Sequence, residues 1–178
     1  MTAEPAIEVL FGEAAIADRV AALAREIAAD APADLLVVVV LKGSFVFAAD
    51  LVRALDRCGV RPTIDFITLS SYGAGTESRG EVRLTRDLAE DVAGRHVLLV
   101  DDILDSGRTL AYARDLLAAR GAASVKTCLL LDKAGRRQVP IEADHVGFPI
   151  GNWFVVGYGL DLAHRYRGLP FIGRVTGA

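Results

Sequence analysis

Asp101, Asp102 and Asp105 sit within one short run, Val97 to Thr109, that reads VLLVDDILDSGRT. Ser106, Gly107, Arg108 and Thr109 follow the third acid directly. Two chemistries therefore meet within a few residues. Adjacent carboxylates suit the hydroxyls of a sugar or a hydrated cation. The Ser-Gly-Arg-Thr turn suits a phosphate: a helix N-terminus presents unbonded N–H groups and partial positive charge. Gly107 allows a close backbone approach, the hydroxyls of Ser106 and Thr109 add donors, and Arg108 adds a permanent cation. No GxxxxGK[ST] loop occurs anywhere in the chain, which argues against an ATPase reading of the VLLVDD strand. The plainer alternative is a solvated strand-to-helix loop in which Asp105 or Ser106 caps the helix.

These residues need elements to place them. Glu13 to Ala29 carries Ile16, Val20, Leu23 and Ile27 on one helical face and ends before Pro32. Leu35 to Leu41 is continuously apolar, as in a strand covered on both faces. Ser44 to Cys58 reads as a helix closed by Gly59, and Thr63 to Leu69 as a second strand. Ser70 to Gly80, rich in glycine and serine, reads as a long polar loop of the kind that forms lids. Glu81 to Arg86 reads as a returning strand, Val97 to Val100 as the central one, and Leu110 to Arg120 as a helix stopped by Gly121. Val125 to Leu131 is another buried strand. Strands alternating with helices give an α/β fold with a mainly parallel sheet and right-handed crossovers. The tail from Asp144, with short apolar runs between glycines and prolines, reads as a small β-rich attachment. Ligands of such sheets bind outside the carboxyl ends of the strands. Lys42 and Gly43, Ser71 and Tyr72, the acid pair, and Lys133 all fall at such ends.

The chain has 178 residues, 52% of them hydrophobic, which fits one domain spanning 1–178. A formal net charge of −3 gives no global attraction to nucleic acid or to an anionic membrane. No apolar run is long enough to span a bilayer, and the acidic start lacks the features of a signal peptide, so a cytoplasmic location is expected. Cys58 and Cys128 read as reduced core thiols. His96, His145 and His164 lack the spacing of a zinc site.

VLLVDDILDSGRT resembles the phosphoribosyl-pyrophosphate (PRPP) motif of the type I phosphoribosyltransferases. LKGSFVFAADLVR (Leu41 to Arg53), DFITLSSYG (Asp65 to Gly73), LLDKAGRR (Leu130 to Arg137) and WFVVGYGLDLAHRYRGLPFIG (Trp153 to Gly173) occur in the family's order. Together, from about Val37 onward, they resemble the bacterial hypoxanthine-guanine phosphoribosyltransferases. The resemblance implies the type I phosphoribosyltransferase fold, with a mainly parallel sheet flanked by helices. It also implies a β-rich hood, made chiefly by the C-terminal segment and the N-terminus, and a flexible lid over Ser70 to Gly80. It implies transfer of the 5-phosphoribosyl group from PRPP to hypoxanthine or guanine, with release of pyrophosphate. Asp101 and Asp102 would face the ribose hydroxyls, and Ser106, Gly107, Arg108 and Thr109 the 5′-phosphate. Asp105 would take the proton that the purine's ring nitrogen loses. Lys42, Gly43, Ser71, Tyr72 and Arg167 would meet pyrophosphate. Lys133 would donate to the 6-oxo group, Phe154 would stack on the purine, and the Val155 backbone would read its edge. Asp161 would order Mg²⁺, with Asp101 and Asp102 acting indirectly. A cis peptide is implied at Leu41–Lys42, and a homodimer or homotetramer as the assembly. Without the resemblance, Lys133 reads as a surface lysine and Phe154 as a core residue. A xanthine-preferring enzyme and a PRPP-sensing RNA-binding operon regulator are the alternatives on the same fold.

Overall fold

Leu36, Val38 and Val40 point to one side of their strand and Val37 and Val39 to the other, and all five are buried. That alternation follows from the two-residue period of a strand, and it makes the continuous apolar run necessary. The structure, a computed structural model, describes residues 4–72 and 81–176. Its strands are β1 (Ala6–Phe11), β2 (Leu36–Leu41), β3 (Thr63–Tyr72), β4 (Glu81–Arg86), β5 (His96–Leu104), β6 (Ser124–Asp132), β7 (His145–Pro149), β8 (Val155–Val156) and β9 (Ile172–Thr176). The helices are α1 (Glu13–Ala28), α2 (Phe45–Arg57) and α3 (Arg108–Ala119).

The main sheet has the order β4-β3-β2-β5-β6-β7. All its neighbours pair in parallel except β4, which returns antiparallel beside β3. Val37, Val39, Leu98, Val100 and Leu130 pack under α1 and α2 through Ile16, Leu23, Phe47 and Leu51. Leu36, Val38, Val40, Leu99 and Leu129 pack under α3 through Leu110 and Leu117. The two-faced core holds the central strands rigid at their carboxyl ends. A separate antiparallel sheet, β1-β9-β8, joins the N-terminal segment to the C-terminal one as the hood.

Several elements differ from their sequence expectations. β5 continues past Val100 to Leu104, because β6 keeps pairing: Asp101 lies opposite Leu129 and Ile103 opposite Leu131. The acid pair is therefore inside the strand and not beyond it. Ser70, Ser71 and Tyr72, expected in the polar loop, extend β3, with Ser71 paired to Val82 and Tyr72 to Glu81. A polar composition does not prevent backbone pairing in a ribbon at the sheet edge. The rest of the expected lid, residues 73–80, lies outside the described residues. The first part of the C-terminal tail, β7, joins the main sheet in parallel beside β6, and only β8 and β9 belong to the hood. Cys128 is buried, and burial pushes its thiol pKa up. Cys58, at the end of α2, is exposed and not in the core.

Candidate active site

The carboxyl ends of β2 and β5 and the start of α3 enclose a cavity of about 570 Å³. Lys42 and Gly43 enter it from the end of β2, Asp101 and Asp102 from β5, and Asp105 to Thr109 from the turn into α3. The Leu41–Lys42 peptide is cis. Ser44 is buried, and its hydroxyl donates to the Val40 carbonyl, tying the loop back onto β2.

Asp101 is buried, and its carboxylate accepts the Asp102 N–H at 2.9 Å. Burial holds its pKa well above the ordinary carboxylate range, and the neighbouring Asp102 charge pushes the same way. Burial raises the Asp102 pKa too, while hydrogen bonds with Asp101 and the backbone, and the positive charge of Arg167, oppose it. A Cβ on Gly43 would overlap the Asp102 carboxylate, so only glycine lets the two loops close together. Gly159, at φ +102°, packs equally tightly onto the Gly43 carbonyl. This contact fastens the turn carrying Asp161 and Arg167 beside the β2 loop.

The phosphate-sized turn is preformed. Gly107 has φ +84° and stands at the N-cap of α3. A side chain there would be strained and would also meet Ile141 Cγ2 at 2.6 Å. Arg108 and Thr109 lie in the first helical turn, which contains no acidic residue to compete with an anion. The Ser106 hydroxyl accepts the Arg108 N–H at 3.4 Å.

Asp105 does not cap this helix: the N-cap is Gly107, and the hydroxyl on the first helical N–H is that of Ser106. Its carboxylate instead faces cations: Lys133 Nζ lies 3.5 Å from Oδ2, and Arg136 Nε donates to Oδ1 at 3.1 Å. Lys133 is not a surface lysine. It is 8% exposed, just past β6, and its backbone N–H donates to the Leu104 carbonyl at 2.9 Å.

Arg137 organises this corner. Its Nη1 donates to the carbonyls of Leu104 at 2.8 Å, Asp105 at 2.7 Å and Lys133 at 3.3 Å. Its Nε reaches the Ile141 carbonyl at 3.2 Å, and its Nη2 pairs with Asp132. One guanidinium therefore fixes the backbones that carry Asp105 and Lys133. The basic run Gly135-Arg136-Arg137 was the available signal for both arginines, yet sequence reasoning gave neither a role.

The remaining site candidates come from the hood side. Phe154 is 54% exposed and not a core residue, while Val155 is buried in β8. Arg167 donates to the Gly159 carbonyl at 2.6 Å and pairs with Asp161 at 2.6 Å, whose other oxygen accepts the His164 N–H at 2.7 Å. Lys133, Phe154, Val155, Asp161 and Arg167 do not line the 570 Å³ cavity. Arg167 borders a different one, of about 580 Å³, between α1, α2 and the turn at Tyr158 to Pro170. Ser71 and Tyr72 contribute backbone at the end of β3. Asp101 and Asp102 offer hard carboxylate oxygens buried side by side, which suits a hydrated Mg²⁺ accompanied by a diol. Asp161 lies outside that cavity, paired with Arg167, and no cluster of three metal-ligating side chains forms among the described residues.

Residues 10–163 match the phosphoribosyl transferase domain family. The chain is 45% identical over 172 residues to a hypoxanthine phosphoribosyltransferase of Escherichia coli K12, covering 95% of each. Among solved structures it is similar to a Trypanosoma cruzi hypoxanthine phosphoribosyltransferase, at 42% identity and TM-score 0.91, over 99% of this chain and 94% of that one. It is also similar to a hypoxanthine-guanine phosphoribosyltransferase of Bacillus anthracis, at 44% identity and TM-score 0.89, over 97% and 100%.

Proposed function

The chain belongs to the phosphoribosyl transferase family, and we propose that it transfers the 5-phosphoribosyl group from PRPP to hypoxanthine or guanine in purine salvage. The observation that carries this reading is the convergence, in one cavity, of a buried acid pair, a further carboxylate and a preformed phosphate turn. Asp101 and Asp102 take the ribose hydroxyls, which hydrogen-bond to carboxylates otherwise disfavoured by burial. Ser106 to Thr109 take the 5′-phosphate. Together they hold C1′ still while the C1′–pyrophosphate bond breaks and the C1′–N bond forms, through an oxocarbenium-like transition state. Asp105 accepts the proton lost by the purine's ring nitrogen. Lys133 donates to the 6-oxo oxygen, Phe154 supplies the stacking face, and the Val155 backbone meets the base edge. The backbone of Lys42 and Gly43, together with Ser71, Tyr72 and Arg167, receives pyrophosphate. Asp161, and indirectly Asp101 and Asp102, would hold Mg²⁺, which would supply positive charge to the departing group. The chain works as one domain, in the cytoplasm, as a homodimer or homotetramer.

Lys133 disfavours adenine, since an ammonium donor opposes a 6-amino donor. The net charge of −3 gives no support to an RNA-binding role. The test is pyrophosphate release from PRPP with Mg²⁺ across a panel of purines and pyrimidines. Release with hypoxanthine and guanine is expected, with adenine and the pyrimidines inert. Release with none of the oxopurines overturns the reading.

A further inference from the structure

Each carboxylate oxygen of Asp105 is met by a cation before any substrate arrives, although about a third of the side chain stays exposed. Lys133 is on one oxygen and Arg136 on the other. A carboxylate oxygen keeps a second lone pair, but a guanidinium resting on it obstructs the approach of a purine N–H to the same oxygen. The two cations are not equally free to leave. The Lys133 side chain is 10% exposed and enclosed at the end of β6, whereas that of Arg136 is 50% exposed. Arg136 closes a single 3-10 turn, Ala134–Arg136, next to Gly135, whose Cα faces open space. Exposed ion pairs are weak and readily exchanged.

Arg136 also has somewhere to go. It lines the same cavity as the phosphate turn. The segment after it is sewn to that turn: the N–H groups of Gln138 and Val139 donate to the Ser106 carbonyl at 2.9 and 3.2 Å. A bound phosphate dianion would sit within the field of a guanidinium tethered beside it. Arginine prefers such an oxyanion, with its forked geometry, to a single-point contact with a half-exposed carboxylate.

We propose that Arg136 is a positioning residue that latches Asp105 in the empty enzyme and transfers to the ribose 5′-phosphate when that group binds, freeing Oδ1 for the purine. The proposal rests on the phosphoribosyltransferase reading above. It makes the phosphate and purine subsites energetically coupled through one side chain. Coupling of this kind is reciprocal between the two ligands.

Ribose 5-phosphate tests it, because it carries the phosphate and diol but no leaving group. Hypoxanthine affinity is measured by calorimetry with and without saturating ribose 5-phosphate, in wild type and in Arg136→Gln. In wild type the sugar phosphate is expected to tighten hypoxanthine about tenfold. In Arg136→Gln, hypoxanthine binds well without the sugar phosphate, and the coupling falls to within about twofold. The PRPP KM rises while kcat stays close to wild type, the signature of lost ground-state binding. Melting curves establish that the variant is folded; Arg136→Ala, read in the same way, replaces it if it is not, and Arg136→Lys, which keeps a charge able to reach the phosphate, should retain part of the coupling. Coupling that survives in Arg136→Gln, or that is absent from wild type, overturns the latch. If wild type releases pyrophosphate and the variant keeps its coupling, only the latch fails. If wild type releases none with any oxopurine, the family reading fails and the latch with it.

Discussion

Asp101 and Asp102 differ sharply from Asp105, although the three lie on one continuous stretch of β5 and its following turn. The pair is buried, and its charge is disfavoured by the protein that surrounds it. Asp105 is about one-third exposed and is met by two cations before any ligand binds. On the proposed reading the pair is incomplete without substrate, its electrostatic cost being recovered when hydroxyls and a cation arrive. Asp105 already has cation partners, and a purine would compete with them for it. The same side chain on the same strand end can be a socket or a poised reagent, and its neighbours decide which. Raised carboxylate pKa values therefore mark the binding half of this site, while cation contacts mark the chemical half.

The comparison breaks most dramatically at Asp105. Asp105→Asn keeps the shape but cannot accept a proton, and kcat is expected to fall by about a hundredfold or more. PRPP affinity should be unchanged, because the diol and phosphate subsites are intact. Near-normal turnover at saturating substrates would demote Asp105 to a structural partner of Lys133 and Arg136.

Arg137→Met comes next. It removes the donor shared by the carbonyls of Leu104, Asp105 and Lys133. Loss of alignment on the scale of an ångström costs about a hundredfold in kcat/KM. The Leu104 carbonyl keeps the Lys133 N–H and the Lys133 carbonyl keeps the Arg136 N–H, so of the three only the Asp105 carbonyl is left short of a donor, which costs about 1–3 kcal/mol in stability. Steady-state assays and thermal melts should therefore both respond, whereas a variant that melts earlier but turns over normally would show that Arg137 serves folding alone.

Lys133→Gln is a smaller perturbation on the purine side. A charge-assisted hydrogen bond to the 6-oxo oxygen is worth about 1.5–3 kcal/mol, so hypoxanthine and guanine should bind about ten- to a hundredfold more weakly. PRPP binding should change little. Unaltered base affinity would leave Lys133 as a partner of Asp105 only.

How much of this was readable beforehand depends on the range of the forces involved. The order of strands and helices was legible because apolar periodicity is local, and so was the strand-to-helix turn that carries Asp101 to Thr109, because its residues are neighbours in sequence. The length of β5 was not, since Asp101 to Leu104 stay in the strand through pairing with a partner 28 positions on, Leu129 opposite Asp101. Likewise β7 reads like the rest of the tail, and only its pairing with β6 puts it in the main sheet. Ser70 to Tyr72 look like loop until β4 returns beside them. The burial of Lys133 and the exposure of Phe154 invert what each residue type does on average, which is where a ligand-binding surface departs from averages. Arg137 was hidden because, Asp132 apart, its partners are backbone carbonyls, which have no residue identity to read.

The smallest effect sharpens the comparison from the other side. Asp101 has a folded-state pKa above its unfolded one, so the folded protein holds the proton more tightly. Rising pH through and above the ordinary carboxylate range therefore drains stability, since the folded state must surrender a proton that the unfolded state has already lost. Asp101→Asn removes that charge while an amide oxygen can still accept the Asp102 N–H. The variant should melt only slightly above wild type near pH 4, where about half of the unfolded carboxyl is still protonated, and further above it near pH 7. For a chain of this size each kcal/mol relieved corresponds to about 2–4 °C. Saturating PRPP and Mg²⁺ should reverse the ranking at neutral pH, because ligand binding stabilises wild type more than a variant that holds the sugar weakly. A variant that melts below wild type at pH 7 by the same margin as at pH 4 would mean that the buried pair is not under electrostatic stress, and the distinction between socket and poised reagent would fall.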